Sequence, residues 1–146
     1  MTNKIDLLSP VWTHLTQIEP VRAAGIYLYD AQGRQYTDFT CGIGVINTGH
    51  CHPKVVKAIT EQAQKYMHVM VYGEYIQRPA VSLTKLLAKH LPSPLETTYL
   101  VNSGTEAIEG ALKLARRATG RAEILYANLA YHGNTMGALS VMGYEQ

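Results

Sequence analysis

The segment 99–117 constrains this chain more than any other, because it has the pattern of a strand, a tight turn and a helix in direct succession. Ser103 is a good N-cap, and Glu106 three residues later predicts a capping box. Gly120 suits the C-terminal end of the same helix. Apolar residues recur at helical spacing and predict one buried stripe, made of Ile108, Ala111, Leu112 and Ala115.

The turn itself is Ser103-Gly104-Thr105, and it has two interpretations. It could be a plain helix cap with a glycine for the turn. It could also be a phosphate site, because a helix N-terminus offers unpaired N–H groups, two hydroxyls and a partial positive charge. It is not a Walker loop, and the only Gly-x-Gly, at 42–44, lacks a third glycine at the dinucleotide-binding spacing. An ATP or nicotinamide site is therefore poorly supported.

A second apolar segment, 122–127, follows the helix and predicts a βαβ unit with a parallel sheet. Tyr131-His132-Gly133 comes directly after it, at the sheet edge where α/β proteins bind ligands. Taken alone, this segment is most simply a surface turn with a half-buried tyrosine. Taken with the phosphate turn, a ring that can stack on a planar heterocycle favours one phosphorylated aromatic cofactor.

The rest of the chain predicts further α/β structure. Segment 25–39 predicts a β-hairpin around an Asp-Ala-Gln-Gly turn, and 40–49 predicts an ordered, close-packed loop. Helices are expected from Pro53 onward and from about Pro79 to His90. Segment 67–77 is rich in Met and aromatic residues without a clear period, and another short helix is expected to begin near Met136.

Composition excludes several function classes. The chain is 47% hydrophobic and 16% charged, which is typical of a globular protein, and its net charge of +2 is too small to favour nucleic acid. No apolar run reaches membrane-spanning length, so we expect no membrane partner. Two cysteines do not make a disulfide framework, and a reduced, cytoplasmic protein is the simpler interpretation.

Three other groups of residues invite a chemical role and are better explained without one. His50, Cys51 and His52 are too close together for the usual chelate spacings, so a turn leading into a helix, with satisfied histidines, is expected. Lys113 is most simply a solvated helix lysine. Cys41, like Cys51, has no neighbouring base that would mark a nucleophile, and both are expected to be packing residues.

Four motifs, taken in order, resemble the class III aminotransferases, which are pyridoxal-phosphate enzymes of fold type I. The motifs are the segments 37–45 (TDFTCGIGV), 49–53 (GHCHP), 102–107 (NSGTEA) with 113–116 (KLAR), and 131–133 (YHG). The resemblance runs from about residue 25 to residue 143. It implies an α/β fold in which 1–40 belongs to the small domain and 41–146 begins the cofactor-binding large domain.

The resemblance also implies roles for particular residues. The backbone of Gly104 and Thr105, with the hydroxyls of Ser103 and Thr105, would hold the phosphate of pyridoxal 5′-phosphate. Tyr131 would stack on the pyridine ring, with His132 and Gly133 shaping that loop. The segment 42–45 would lie near a substrate pocket at the interface of a homodimer. The reaction implied is amino-group transfer between an amine or amino acid and a 2-oxo acid.

The family's catalytic residues are expected after the Tyr-His-Gly motif, beyond this sequence. They are the lysine that forms the Schiff base and the acid that pairs with the pyridine nitrogen. We therefore expect no catalytic residue in this chain, an N-terminal portion of an enzyme, and no transaminase activity from this portion alone. The alternatives are another fold-type-I enzyme, such as an aminomutase or decarboxylase, and a non-catalytic module for interaction or oligomerisation.

Overall fold

The computed structural model describes Thr16 and residues 18–143, and the chain divides into two compact units, Met1–Val69 and Met70–Gln146. The strands are β1 (Pro20–Ala24), β2 (Tyr27–Asp30) and β3 (Gln35–Thr37), and the helices are α1 (Cys41–Gly44), α2 (Pro53–Lys65), α3 (Arg78–His90), α4 (Gly104–Thr119) and α5 (Met136–Leu139). The architecture is α/β, as predicted. The predicted division into a small-domain segment and a large domain at residue 40 stays a prediction.

The first unit contains an antiparallel sheet in the order β1-β2-β3. The β2–β3 pair is the predicted hairpin, with Tyr27 opposite Thr37. Asp30 fixes its turn, because one carboxylate oxygen accepts the N–H groups of Gln32 at 3.0 Å and Arg34 at 2.9 Å. Strand β1 was not predicted: its sequence, PVRAA, begins with proline and lacks the alternation that marks a strand, and it lies at the edge of the sheet.

The segment after the hairpin is ordered, but its apolar side chains are not packed. Helix α1 is a single turn interrupted at Gly42 and Ile43, whose φ angles are 61° and 63°. Ile43 is 93% exposed and Val45 is 73% exposed. The expectation of a close-packed loop is therefore wrong for these side chains, because the backbone folds back on itself and turns them outward.

Helices α2 and α3 form where the periodicity predicts them, each with proline in its first turn. Neither contains a buried residue. Ile59, for example, is 63% exposed, and Leu86 is 54% exposed. The amphipathic pattern thus determines where the helices form, and their apolar faces remain available to further protein surface.

Helix α4 begins and ends at the residues predicted. Ser103 Oγ accepts the Glu106 N–H at 3.3 Å, and Glu106 Oε2 accepts the N–H of Asn102 at 2.8 Å. At the other end, Gly120 adopts a left-handed conformation with φ 69° and donates its N–H to the carbonyl of Arg116 at 2.9 Å. The cap therefore orients the first turn of α4.

The two segments predicted as parallel strands flank α4 but do not pair. In the described part of the chain, neither 99–101 nor 122–127 is a strand, and no backbone hydrogen bond joins the two. Their side chains are open to solvent, with Leu125 100% exposed and Tyr99 79% exposed. The sequence order strand–helix–strand identifies these segments as sheet candidates, but a parallel ladder also needs neighbouring strands.

The predicted helix near Met136 is confirmed as the short helix α5, and the buried apolar residues of the second unit gather there. Ala138 is 0% exposed, Met142 is 5% exposed and Val141 is 8% exposed. These three residues anchor the end of the segment that follows the Tyr-His-Gly motif.

Across the residues that the structure describes, no helix is long and apolar enough to cross a membrane.

Candidate functional site

One cavity of about 570 Å³ brings together all five residues predicted to bind a cofactor. Its lining comes from two places, the start of α4 and the loop between segment 122–127 and α5. The lining residues are Ser103, Gly104, Thr105, Ile108, Tyr131, His132, Gly133 and Asn134. The volume is within the range of about 300–1,000 Å³ that is typical of small-molecule sites. Residues from two segments that are at least 23 positions apart in sequence thus form one concave site.

The α4 end of the cavity is rich in hydrogen-bond donors. Within the described residues, the N–H groups of Gly104 and Thr105 have no backbone or side-chain acceptor, whereas the Glu106 N–H is occupied by Ser103 Oγ. The two hydroxyl-bearing side chains, Ser103 and Thr105, lie on the same cavity wall. A helix N-terminus with two unpaired N–H groups and adjacent hydroxyls is suited to an anion, because the helix dipole adds partial positive charge.

The opposite wall comes close to α4 because it contains a glycine. Gly133 has φ +114°, and a Cβ added there would overlap the Cβ and hydroxyl of Thr105. Thr105 Oγ1 also lies 2.8 Å from Thr135 Oγ1, within hydrogen-bond distance. The loop is therefore seated directly on the first turn of α4, and the cavity has two fixed walls. Tyr131 is 67% exposed, so most of its ring is accessible to a ligand.

Two residues beside this cavity, Glu109 and Thr135, were not predicted from the sequence. Glu109 Oε1 accepts the N–H of Gly137 at 2.9 Å and that of Ala138 at 3.3 Å, at the start of α5. Thr135, the N-cap of α5, makes no side-chain cap hydrogen bond. A signal was present, since Glu109 is an acidic residue next to the apolar stripe of α4 and such a residue needs a partner.

These contacts favour the ionised form of Glu109. The Thr135 hydroxyl, followed by the N–H groups of Gly137 and Ala138, lowers the pKa of the Glu109 carboxyl below its usual value, although desolvation acts in the opposite direction. The positive charge of Lys113 contributes in the same direction as the hydrogen bonds. Lys113 itself is exposed on α4, as expected of a solvated helix lysine.

The cavity wall contains no lysine or arginine among the residues that the structure describes. Stabilisation of an anion there would come from backbone N–H groups, hydroxyls and the helix dipole rather than from a cationic side chain. With an aromatic ring on the other wall, this donor set fits a phosphorylated planar molecule. It does not supply an amine for covalent chemistry.

The predicted apolar stripe of α4 faces a second cavity, of about 460 Å³. Ile108, Ala111, Leu112 and Ala115 all line it, together with segment 124–127. The stripe therefore faces the predicted second strand, as a βαβ arrangement requires. It is not buried, however: Ile108 and Leu112 are half-buried, while Ala111 and Ala115 are exposed.

The first unit holds the other residues considered from sequence. His50 Nε2 lies 2.7 Å from Asp38 Oδ2, which confirms a satisfied histidine, but His52 Nδ1 is buried without a hydrogen-bond partner among the described residues. Cys41 is half-buried beside the Asp38 carbonyl, at 3.4 Å. Cys51 is exposed, so the expectation that it packs in the interior is wrong.

Comparison with known proteins gives the family context. The profile of the class III aminotransferases matches residues 8–146. Acetylornithine aminotransferase of Clostridium acetobutylicum is 45% identical over 128 residues, covering 84% of this chain and 32% of that protein. The 5-aminovalerate aminotransferase of Pseudomonas aeruginosa is 45% identical over 135 residues, covering 87% of this chain and 30% of that protein. The chain thus spans about a third of the length of these curated relatives.

Solved structures agree with the sequence comparisons. Taurine:2-oxoglutarate aminotransferase of Bifidobacterium kashiwanohense, solved in complex with pyridoxal phosphate and glutamate, superposes with a TM-score of 0.77 at 33% identity. The superposition covers 93% of this chain and 30% of that structure. The described residues therefore have the fold of part of a fold-type-I transaminase.

Proposed function

The chain belongs to the class III aminotransferase family, whose members depend on pyridoxal phosphate, and on that premise we propose that its α4 cavity is the phosphate- and ring-binding part of a transaminase site. The enzyme would move an amino group from an amine or amino acid to a 2-oxo acid. One observation carries the proposal: the residues that the family resemblance assigns to the cofactor all line a single cavity.

The start of α4 would bind the phosphate. The unpaired N–H groups of Gly104 and Thr105 would donate to phosphate oxygens, and the hydroxyls of Ser103 and Thr105 would add further hydrogen bonds. The N-terminal end of the helix dipole would stabilise the negative charge. Because the cap aligns the first turn of α4, these donors are oriented before the ligand arrives.

The loop on the opposite wall would orient the ring. The exposed face of Tyr131 is available to stack on the pyridine, and His132 lies beside it on the same wall. Gly133 allows the loop to approach Thr105, so the stacking ring and the phosphate donors are held at a set separation. Offset stacking of this kind adds roughly 0.5–1.5 kcal/mol to apolar burial.

Bound pyridoxal phosphate supplies the electron-withdrawing ring that makes a proton on the amino-bearing carbon of the substrate removable. In this chain the described residues of the cavity bind and orient, and none of them is a lysine or an acid. We propose that the lysine and the acid that pairs with the pyridine nitrogen come from other parts of the complete enzyme. These 146 residues alone would then have no transaminase activity.

The assembly and location of the enzyme belong to the same proposal. The segment 67–77 is largely exposed and apolar, with Met67 88% exposed, Tyr72 87% exposed and Ile76 91% exposed, which supports a protein interface in a homodimer. The two cysteines form no disulfide with each other. A reducing, cytoplasmic compartment is consistent with that state.

The test compares two ligands that differ only in the phosphate. Pyridoxine phosphate and pyridoxine lack the aldehyde, so neither can condense with surface lysines. We expect the chain to bind pyridoxine phosphate at least about tenfold more tightly, because each hydrogen bond to a charged phosphate contributes roughly 1.5–3 kcal/mol. Equal affinity for the two ligands, measured by calorimetry, would contradict the proposal.

Two variants test how each wall of the cavity, the start of α4 and the Tyr131 loop, contributes to ligand affinity. Thr105→Val removes one phosphate donor and also the hydroxyl contact with Thr135 that seats the loop, so it is expected to weaken pyridoxine phosphate by a larger factor than pyridoxine. Tyr131→Leu removes the ring and is expected to weaken both ligands by the same factor. The matched control is Tyr72→Leu, which removes an exposed ring outside the cavity and should change neither affinity.

A further inference from the structure

We propose that Glu109 is a positioning residue of the cofactor site: its carboxylate holds the start of α5, and through it the loop 131–135, against the first turn of α4. This inference rests on the function proposed above, and it assigns to Glu109 a role in orienting the ring rather than in binding the phosphate. Glu109 does not line the cavity itself.

The carboxylate takes the place of a missing helix cap. Thr135 is the N-cap of α5, but its side chain accepts no hydrogen bond from the N–H groups of that helix. Glu109 Oε1 instead accepts from the first-turn N–H groups of Gly137 and Ala138, at 2.9 and 3.3 Å. A negative charge at a helix N-terminus is favourable, and here it comes from a different helix. The contact therefore joins α4 to α5 directly.

The fit at this contact is tight. A Cβ added to Gly137 would overlap the Glu109 carboxylate, so the carboxylate can occupy this position only because residue 137 has no side chain. The next residue, Ala138, is 0% exposed, so the start of α5 is buried where the carboxylate contacts it. The carboxylate thus contacts a part of the backbone that has little room to shift.

From this anchor the loop runs back along α4 to the cavity. Thr135 Oγ1 lies 2.8 Å from Thr105 Oγ1, and Gly133 lies against the same threonine. Tyr131 comes two residues before Gly133 and is 67% exposed, and its side chain makes none of the hydrogen bonds found among the described residues. The position of the ring depends on the contacts that Thr105 and Glu109 make with the segment that follows it.

The two halves of the site should therefore respond differently to the loss of Glu109. The phosphate donors are in the first turn of α4, which is held by the Ser103 cap and does not need the carboxylate. The stacking ring is on the loop, and the position of the loop depends on the Glu109 carboxylate. Removing the carboxylate should weaken a ligand that uses both walls and spare a ligand that uses only the α4 end.

The experiment measures dissociation constants of inorganic phosphate and pyridoxine phosphate for the wild-type chain and three variants. For Glu109→Ala we expect pyridoxine phosphate to weaken by about tenfold, the upper range of an aromatic stacking contact, and inorganic phosphate to change by less than about twofold. Glu109→Gln keeps an oxygen that can accept both N–H groups, so it should recover much of the loss. Glu123→Gln is the matched control, since Glu123 makes none of the hydrogen bonds or ion pairs found in the described residues.

The outcomes separate positioning from stability. If Glu109→Ala weakens both ligands by the same factor, the residue only stabilises the unit and the inference is wrong. If it weakens neither, the inference is also wrong, while the proposed cofactor site stands.

A ligand-independent measurement keeps the inference testable if the proposed function fails. Backbone ¹H–¹⁵N heteronuclear NOE values report the order of loop 131–134 on the picosecond to nanosecond timescale. We expect lower values for this loop in Glu109→Ala than in wild type, with unchanged values in α4. Unchanged values in the loop would overturn the inference, whereas failure of wild type to bind pyridoxine phosphate would count against the proposed function alone.

Discussion

Asp38 joins three parts of the first unit through one carboxylate. Its Oδ1 accepts from the Thr40 hydroxyl at 2.7 Å and from the N–H of Cys41 at 3.0 Å, and its Oδ2 lies 2.7 Å from His50 Nε2. Hydrogen bonds from Thr40, His50 and Cys41 lower the pKa of Asp38 to about 2. The His50 backbone, in turn, exchanges two hydrogen bonds with Gly25 beside the hairpin.

This network predicts a specific pH dependence. Because the pKa of Asp38 is lowered on folding, its stabilisation is present above its ordinary value of 3.8 and is lost as the pH falls through about 2. We expect Asp38→Asn to be less stable than wild type at pH 7 and to lose less stability between about pH 4 and pH 2. Urea unfolding followed by circular dichroism measures both quantities.

The control for this prediction is Glu74→Gln, which neutralises an exposed carboxylate outside the network and should keep the wild-type pH profile. An Asp38→Asn profile that parallels wild type throughout the acidic range would show that the carboxylate contributes no pH-dependent stability.

At the scale of residues, the sequence identifies the residues that line the proposed cofactor cavity better than the residues that support them. Ser103, Gly104 and Thr105 are recognisable because a capping sequence determines the local geometry within four residues. Tyr131 is recognisable by its place after the second apolar segment and by the family resemblance of its Tyr-His-Gly motif. Glu109 can be noticed as an acid beside the apolar stripe of α4, but its partners are not recognisable, because they lie 28 and 29 residues away in a helix of four residues.

At the scale of elements, the same distinction separates α4 from the segments on either side of it. The helix forms as predicted because its cap, its apolar spacing and its terminal glycine are all local. The predicted strands 99–101 and 122–127 are not formed, because a ladder depends on neighbours that no local pattern specifies. Strand β1 was missed for the converse reason: pairing with β2 forms it despite a weak local preference.

The C-terminal end of α4 tests whether a local signal, the terminal glycine, stabilises the helix. Gly120 has φ 69°, and a Cβ added there would meet nothing within 4 Å, so a substitution there acts through the backbone alone. We expect Gly120→Ala to lower the free energy of unfolding by about 1 kcal/mol, although alanine favours helices elsewhere. Urea titration measures the change.

Gly120→Asn is the matched comparison, because asparagine tolerates the left-handed region better than alanine. It should lose clearly less stability than Gly120→Ala. Equal losses for the two variants, or a gain for alanine, would mean that the left-handed end does not stabilise α4.

At the scale of the whole molecule, the apolar surface is far larger than the buried interior. In the described residues, the buried hydrophobic side chains are Ala138, Val141 and Met142, while the apolar faces of α2 and α3 and the segment 67–77 are largely exposed. The curated relatives are about three times as long as the matched region. Both facts support the proposal that these apolar faces pack against further protein surface.

The proposal that the catalytic lysine lies outside these 146 residues predicts the outcome of reductive trapping with borohydride. Treating the 146-residue chain with pyridoxal phosphate and borohydride should leave no stable adduct concentrated at one lysine, since no lysine lines the described wall of the cavity. Peptide mapping by mass spectrometry reads out the result, with pyridoxal as a control for unselective labelling. Stoichiometric labelling of one lysine would show that this chain contains the catalytic amine.

The central claim is that the start of α4 and the Tyr131 loop together bind a phosphorylated pyridine, and a map of backbone amide shifts tests it most directly. Adding pyridoxine phosphate to the ¹⁵N-labelled chain should move the amide signals of Gly104 and Thr105 most, followed by those of 131–134, with inorganic phosphate moving only the first group. Shifts confined to other parts of the chain, or none in either group at saturating ligand, would contradict the account.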